Sequence, residues 1–135
     1  MKIAVDTNIL VRAVVRDHAE QADAATGLMG RAKTLAIAIP CLCELVWVLR
    51  SVYRFRGADI SLAIRTLVIA ENVETNRPAV EAGLAMLEAG GDFADGAIAY
   101  EGRWLGADTF VSFDKEAVEM LKAQGVGARL LQGLL

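Results

Sequence analysis

Short β-branched apolar runs alternate along this chain with longer stretches in which apolar residues recur at helical spacing. Lys2 to Val5 is a strand-like run stopped by Asp6-Thr7-Asn8, residues that favour turns and helix N-caps, so a strand-to-helix junction is expected with Asp6 at the strand's carboxyl end. Residues 8 to 16 and 18 to 32 carry helical spacing, broken at Asp17-His18, and Thr34 to Ile39 is a second β-branched run. Pro40 suits the first turn of a helix over about 41 to 54. A polar turn at Gly57 to Asp59 follows, then a helix over about 60 to 70 and a short strand at Asn72 to Glu74. Arg77 to Ala89 reads as a helix closed by Gly90-Gly91. Beyond Asp92 an apolar-periodic segment runs to Leu105, followed by a strand at Thr109 to Ser112, a helix at about 115 to 124 and a last strand near Ala128 to Leu131. Strands that alternate with helices indicate a parallel sheet covered on both faces, an α/β sandwich.

At 135 residues the chain has the size of one compact domain, 1–135, with no internal repeat or linker. Its net charge of -3 argues against nucleic-acid binding through a broad basic surface, so any such contact is local or metal-mediated. A hydrophobic fraction of 55% leaves apolar surface for a partner. The most apolar stretch, Leu35 to Leu49, is interrupted by Pro40 and Glu44 and is too short to span a bilayer, and the N-terminus lacks a signal-peptide core. No membrane association and a cytoplasmic location are therefore expected. Cys41 and Cys43, two apart in a helix, point to opposite sides and read as small core residues of a reducing compartment.

Four acids stand out. In an open parallel sheet, ligands bind beyond the carboxyl ends of the strands, where Asp6 and Asp114 both fall; each taken alone is also an ordinary cap or turn residue. Glu44 has Pro40, Cys41, Trp47 and Val48 as its helical neighbours, so it is expected on an apolar face, where a carboxylate must be paired, metal-bound or at a pocket wall. Asp92 and Asp95 share one face at a helix start. Asp92 is the better cap and Asp95 the better ligand, and whether Asp92 also binds metal stays open. Carboxylates gathered in this way repel one another, and a hard divalent cation, Mg²⁺ or Mn²⁺, would offset them.

Walker, dinucleotide-binding and esterase-elbow motifs are absent. His18 falls in a polar turn and reads as solvated, which makes metal-activated water the better nucleophile. Arg50, Arg54 and Arg56 form a charge run that either is a solvated face or steers phosphates or a partner's carboxylates.

Together Val5-Asp6-Thr7-Asn8-Ile9-Leu10, Cys43-Glu44-Leu45 after Pro40, Asp92-Phe93-Ala94-Asp95-Gly96-Ala97-Ile98-Ala99 and Ser112-Phe113-Asp114-Lys115 resemble the PIN-domain nucleases, and within them the VapC-type toxins of toxin-antitoxin pairs. The resemblance covers essentially the whole chain. It implies a PIN-like three-layer sandwich with a parallel sheet of about five strands flanked by helices. It also implies that Asp6, Glu44, Asp95 and Asp114 are the acidic, metal-binding catalytic set. Asn8 would support the first acid, Ser112 would occupy a small-hydroxyl position, and Gly96 replaces a frequent alanine, which is expected to loosen that helical turn.

The expected activity is Mg²⁺- or Mn²⁺-dependent hydrolysis of an RNA phosphodiester, leaving a 5′-phosphate and a 3′-hydroxyl. The expected partners are the RNA substrate, a second copy in a homodimer, and a cognate protein antitoxin. That antitoxin is expected to dock a helix against residues 42–53 and 60–69, with Trp47, Val48 and Tyr53 as anchors. The alternatives are a stand-alone RNA-processing nuclease, a structure-specific DNA nuclease, and a non-catalytic Mg²⁺-binding signalling domain whose characteristic acids and lysine are not placed correctly here.

Overall fold

A computed structural model describes residues 1–132, and contacts divide the chain into two compact units, Met1–Asn76 and Arg77–Leu135. The first unit runs β1 (Lys2–Ala4), α1 (Thr7–Val15), α2 (Ala19–Arg31), β2 (Thr34–Ala36), α3 (Ile39–Ser51), α4 (Gly57–Val68) and β3 (Val73–Glu74). Its strands form a parallel ladder in the order β1-β2-β3, with Ile3 opposite Leu35 and Leu35 opposite Val73. Parallel pairing needs a crossover between strands, and each crossover here is a helix pair. Asn72 fastens the end of α2 to this ladder, its Nδ2 donating to the carbonyls of Met29 at 2.9 Å and Ala32 at 3.0 Å.

Helix α3 shows how the chain selects its buried face. Ile39, Leu42, Leu45, Val46 and Leu49 recur at three- and four-residue intervals and are buried. Each such side chain contributes about 1.5–3 kcal/mol relative to exposure. Pro40 lies in the first turn, where its missing N–H costs nothing, and helix therefore begins at Ile39, cutting the expected second strand back to Ala36. The turn expected at Gly57 to Asp59 is instead the start of α4. Asp59 lies in that first turn, favourable to the helix dipole, and accepts from Arg56 Nε at 3.3 Å.

The second unit runs α5 (Arg77–Glu88), α6 (Phe93–Trp104), β4 (Phe110–Ser112), α7 (Lys115–Ala123) and β5 (Ala128–Leu130). Strands β4 and β5 pair in parallel through α7, with Val111 opposite Arg129. Met86, Ala99, Ala117 and Leu121 form a buried cluster, flanked by Phe110, Met120, Val126 and Ala128. Gly90, at φ +94°, ends α5 in a conformation that a side chain disfavours.

Helices α5 and α6 meet at two glycines. A Cβ on Gly83 would lie 2.6 Å from the Phe93 ring, and one on Gly96 would lie 2.2 Å from the Ala82 carbonyl oxygen. Both distances are far inside van der Waals contact, so the two backbones approach as closely as they do only because these side chains are missing. Gly96 is thus a packing residue that seats α6; the expected loosening of its helical turn is not its main consequence.

The α/β class and the parallel strands agree with the sequence reading. Among the described residues, however, the five strands form two ladders, of three and two strands, where one sheet of about five was expected. Each strand is only two or three residues long, so few ladder hydrogen bonds are available to join them.

Candidate metal centre

In the first unit Asp6 follows β1 and caps α1. Its Oδ1 accepts from the backbone N–H of Asn8 at 3.1 Å and of Ile9 at 3.4 Å, which leaves Oδ2 uncommitted. The expected support from Asn8 is therefore delivered by the main chain and not by its carboxamide. Glu44 lies in α3 near the α1 N-terminus. Both acids act on the buried Cys41, whose pKa is raised by burial first, against a lowering hydrogen bond from Thr7, and then by the charges of Glu44 and Asp6. Cys41 stays a thiol, receiving the Thr7 hydroxyl at 3.6 Å and donating to the Val5 carbonyl at 3.5 Å. It ties strand end, α1 and α3 together behind the two acids. Cys41 and Cys43 are both unbridged, as expected.

The expected apolar face around Glu44 needs correction. Glu44 is exposed, and so is its neighbour Trp47, at 64%. The buried stripe of α3 lies on its other side, so Glu44 is a solvent-facing carboxylate and not a buried one seeking a partner.

In the second unit Asp92 caps α6, its Oδ1 accepting from Ala94 N–H at 3.1 Å, which establishes its role as a helix cap. Asp95, one turn further on, is half-buried. Its pKa is raised by burial first, then by the charges of Asp92 and Asp114, so these three carboxylates form one electrostatic group. The helix N-terminus would favour the ionised form, and the raised value means that burial and like charge outweigh it. Asp114 follows β4 and caps α7, accepting from Ala117 N–H at 3.2 Å. Ser112 holds the approach to this cap, its Oγ accepting from Asp114 N–H at 3.0 Å.

Asp6, Asp92 and Asp114 thus each sit at a helix N-terminus, where backbone donors and the dipole stabilise negative charge. Among the described residues no group of three or more His, Cys, Asp or Glu side chains is placed to hold a metal ion by itself. The candidate donors are all oxygen, which suits a hard cation such as Mg²⁺, and the pKa of Asp95 is raised first by burial and then by the like charge of Asp92 and Asp114, the part that a cation would relieve.

A second feature of the first unit escaped sequence reasoning. Arg12 donates from Nε to Gln21 Oε1 at 2.7 Å, and from Nη1 to Asp17 Oδ1 at 3.1 Å and to the Tyr53 hydroxyl at 3.4 Å. Tyr53 in turn donates to Asp17 Oδ2 at 3.0 Å. This network borders a cleft of about 560 Å³ lined by Asp6, Asn8, Ile9, Arg12, Gln21 and Leu28 among others. His18 is exposed and caps α2, its Nδ1 accepting from Gln21 N–H at 3.1 Å. Tyr53, expected as a partner anchor, is half-buried and its hydroxyl is engaged within the chain. Arg50, Arg54 and Arg56 are exposed, and Arg56 pairs with Asp59.

The family model of the PIN domain matches residues 3–121, most of the chain and all four candidate acids. The chain belongs to the PIN-domain family. Members of the family are generally nucleases and typically use divalent metal ions. No curated protein matches the sequence. No helix among the described residues is long and apolar enough to cross a membrane.

Proposed function

We propose that this PIN domain, a single domain over the whole chain, is a Mg²⁺- or Mn²⁺-dependent endoribonuclease that hydrolyses RNA phosphodiesters, with Asp6, Glu44, Asp95 and Asp114 as its catalytic carboxylates. The observation that carries the reading is the PIN family match over residues 3–121, which contains all four acids, and beside it stands the grouping of Asp95 with Asp92 and Asp114. Like charge gathered in this way is what a bound cation offsets. Asp6, Glu44 and Asp95 would hold the ion, and Asp114 would complete a second position or order water. A bound divalent ion supplies Lewis acidity toward the phosphate and lowers the pKa of attacking water. The chain's part is positional. The caps on α1 and α7 fix one oxygen of Asp6 and of Asp114, so each carboxylate presents its other oxygen in a set direction.

The finer reading is a toxin neutralised by a protein antitoxin and acting as a homodimer. It draws support from the resemblance to VapC-type toxins and from exposed apolar side chains: Trp47, Leu62 and Ile69 in the first unit, and Trp104, Leu105 and Phe113 in the second. A neighbouring reading frame for a short DNA-binding protein would support the toxin assignment, and its absence would favour a stand-alone RNA-processing enzyme.

The enzymatic reading is tested by RNA cleavage with Mg²⁺ or Mn²⁺, comparing wild type with Asp6→Asn, Glu44→Gln and Asp95→Asn, each also melted thermally. Loss of cleavage in folded variants is expected. Full activity in all three would remove these residues from the mechanism.

A further inference from the structure

The cleft between α1 and α2 begins at Asp6, one of the candidate metal carboxylates, and has no part in the chemistry assigned so far. At about 560 Å³ it lies within the range of small-ligand sites and is roomy enough for one nucleoside. Its apolar lining is Ile9 of α1 and Ala24, Ala25 and Leu28 of α2, surface on which a flat base can lie, and its polar lining includes Asn8, Arg12 and Gln21.

The polar lining has a fixed sense. A guanidinium only donates, so the Gln21 carboxamide must turn its oxygen to Arg12 Nε, and its NH₂ group is left for the cleft. Arg12 is itself held, Nε by Gln21 and Nη1 by Asp17 and Tyr53, so that Nη2 remains as a donor of set direction. Gln21 is anchored again at its backbone, which donates to the His18 cap. The result is a pair of pre-oriented donor groups in a cleft with apolar lining. Such a pair matches a base edge that presents two adjacent acceptors, as guanine does with O6 and N7. It mismatches adenine, whose N6 amino group would face a donor, and it suits cytosine less well than guanine, because the N3 and O2 acceptors of cytosine belong to a single ring that covers less apolar lining.

We infer that the α1–α2 cleft is a base-recognition subsite that takes a guanine of the RNA strand, read by Gln21 Nε2 and Arg12 Nη2. The guanine then lies beside Asp6. This rests on the ribonuclease reading for its biological substrate, whereas the binding event is testable without any cleavage.

The test uses the full chain in EDTA, with each of the four 5′-nucleoside monophosphates titrated and followed by NMR. The wild type should bind GMP about tenfold more tightly than AMP, the scale of one bidentate base contact, and more tightly than CMP by a smaller margin. Gln21→Glu keeps an oxygen facing Arg12 but replaces the outward donor with an acceptor, so it should abolish the guanine preference while the fold is retained. Ala24→Trp crowds the apolar lining and should weaken all four nucleotides about tenfold or more. With RNA as substrate, both variants should raise KM more than they lower kcat, and Gln21→Glu should shift the cleavage positions away from guanine. Absence of nucleotide binding by the wild type, or equal binding of all four, overturns the subsite. So does a Gln21→Glu variant with an unchanged preference. Guanine-selective binding without RNA cleavage would uphold the subsite and overturn the nuclease reading. Cleavage whose positions and KM ignore both variants would do the reverse.

Discussion

Gly96→Ala isolates the contact that seats α6, and with it Asp92 and Asp95. In most helix interiors this change stabilises by about 1 kcal/mol, because alanine loses less backbone entropy than glycine. Here the added methyl would sit 2.2 Å from the Ala82 carbonyl oxygen and 2.9 Å from Met86 Cγ. A carbon-oxygen contact needs about 3.3 Å, so the helices must part by roughly 1 Å. Ala82 presents backbone there and cannot rotate away. Overpacking of this kind costs about 1–3 kcal/mol and tends to the upper end when backbone must move, so it exceeds the propensity gain. A net loss of about 1–2 kcal/mol corresponds to a fall in Tm of roughly 3–10 °C for a chain of this length. Gly102, in the same helix, supplies the control, because its added Cβ meets nothing within 4 Å. Gly102→Ala should leave Tm unchanged or raise it slightly. The displacement would also carry the first turn of α6, and a misplacement of 1 Å can cost about 100-fold in rate. Calorimetric melts of both variants, with RNA cleavage beside them, decide the matter. A Gly96→Ala protein that melts at or above the wild type, with full activity, would refute the packing argument.

Two further outcomes concern charge. Asp95 has a raised folded-state pKa, so its carboxyl is neutral in both states below the ordinary carboxylate range and imposes no cost there; as pH rises through the folded pKa, the native state must accept the charge and stability falls. Asp95→Asn should therefore raise Tm at pH 7 and lose that advantage near pH 3, and a lower Tm at pH 7 would contradict the assignment of burial and like charge as the cause. Millimolar Mg²⁺ should raise the wild-type Tm by mass action, while the variant with Asp6, Glu44, Asp95 and Asp114 all changed to amides should not respond; equal shifts in the two proteins would place the metal elsewhere.

What was legible in the sequence was mostly local. Asp6 and Asp114 follow strands and precede helices, and a residue at that junction is constrained by neighbours two or three positions away, which a sequence displays directly. The same holds for Asp92 as a cap. The exposure of Glu44 is not legible in the sequence, because α3 is apolar on more than one side. Trp47 is as hydrophobic as Leu45, yet one is exposed and the other buried, and only packing against other elements chooses between them. His18 is exposed, as its polar turn implies, but its capping role needs the Nδ1 lone pair turned toward Gln21 N–H, an orientation that residue type does not disclose. The network of Arg12, Asp17, Gln21 and Tyr53 joins positions up to 41 apart, so no spacing along the chain points to it. The gathering of five short strands into two ladders is likewise set by tertiary pairing and not by strand propensity.

The capping role of three of these acids bears on how this protein can change over evolutionary time. Asp6, Asp92 and Asp114 each hold a helix end through one oxygen, and asparagine caps a helix about as well as aspartate does. An aspartate codon becomes an asparagine codon by a single transition. A lineage can therefore lose charge at these positions in one step with almost no penalty in folding, keeping every surface through which the protein meets other molecules. Glu44 caps nothing, so no helix end depends on which residue stands there.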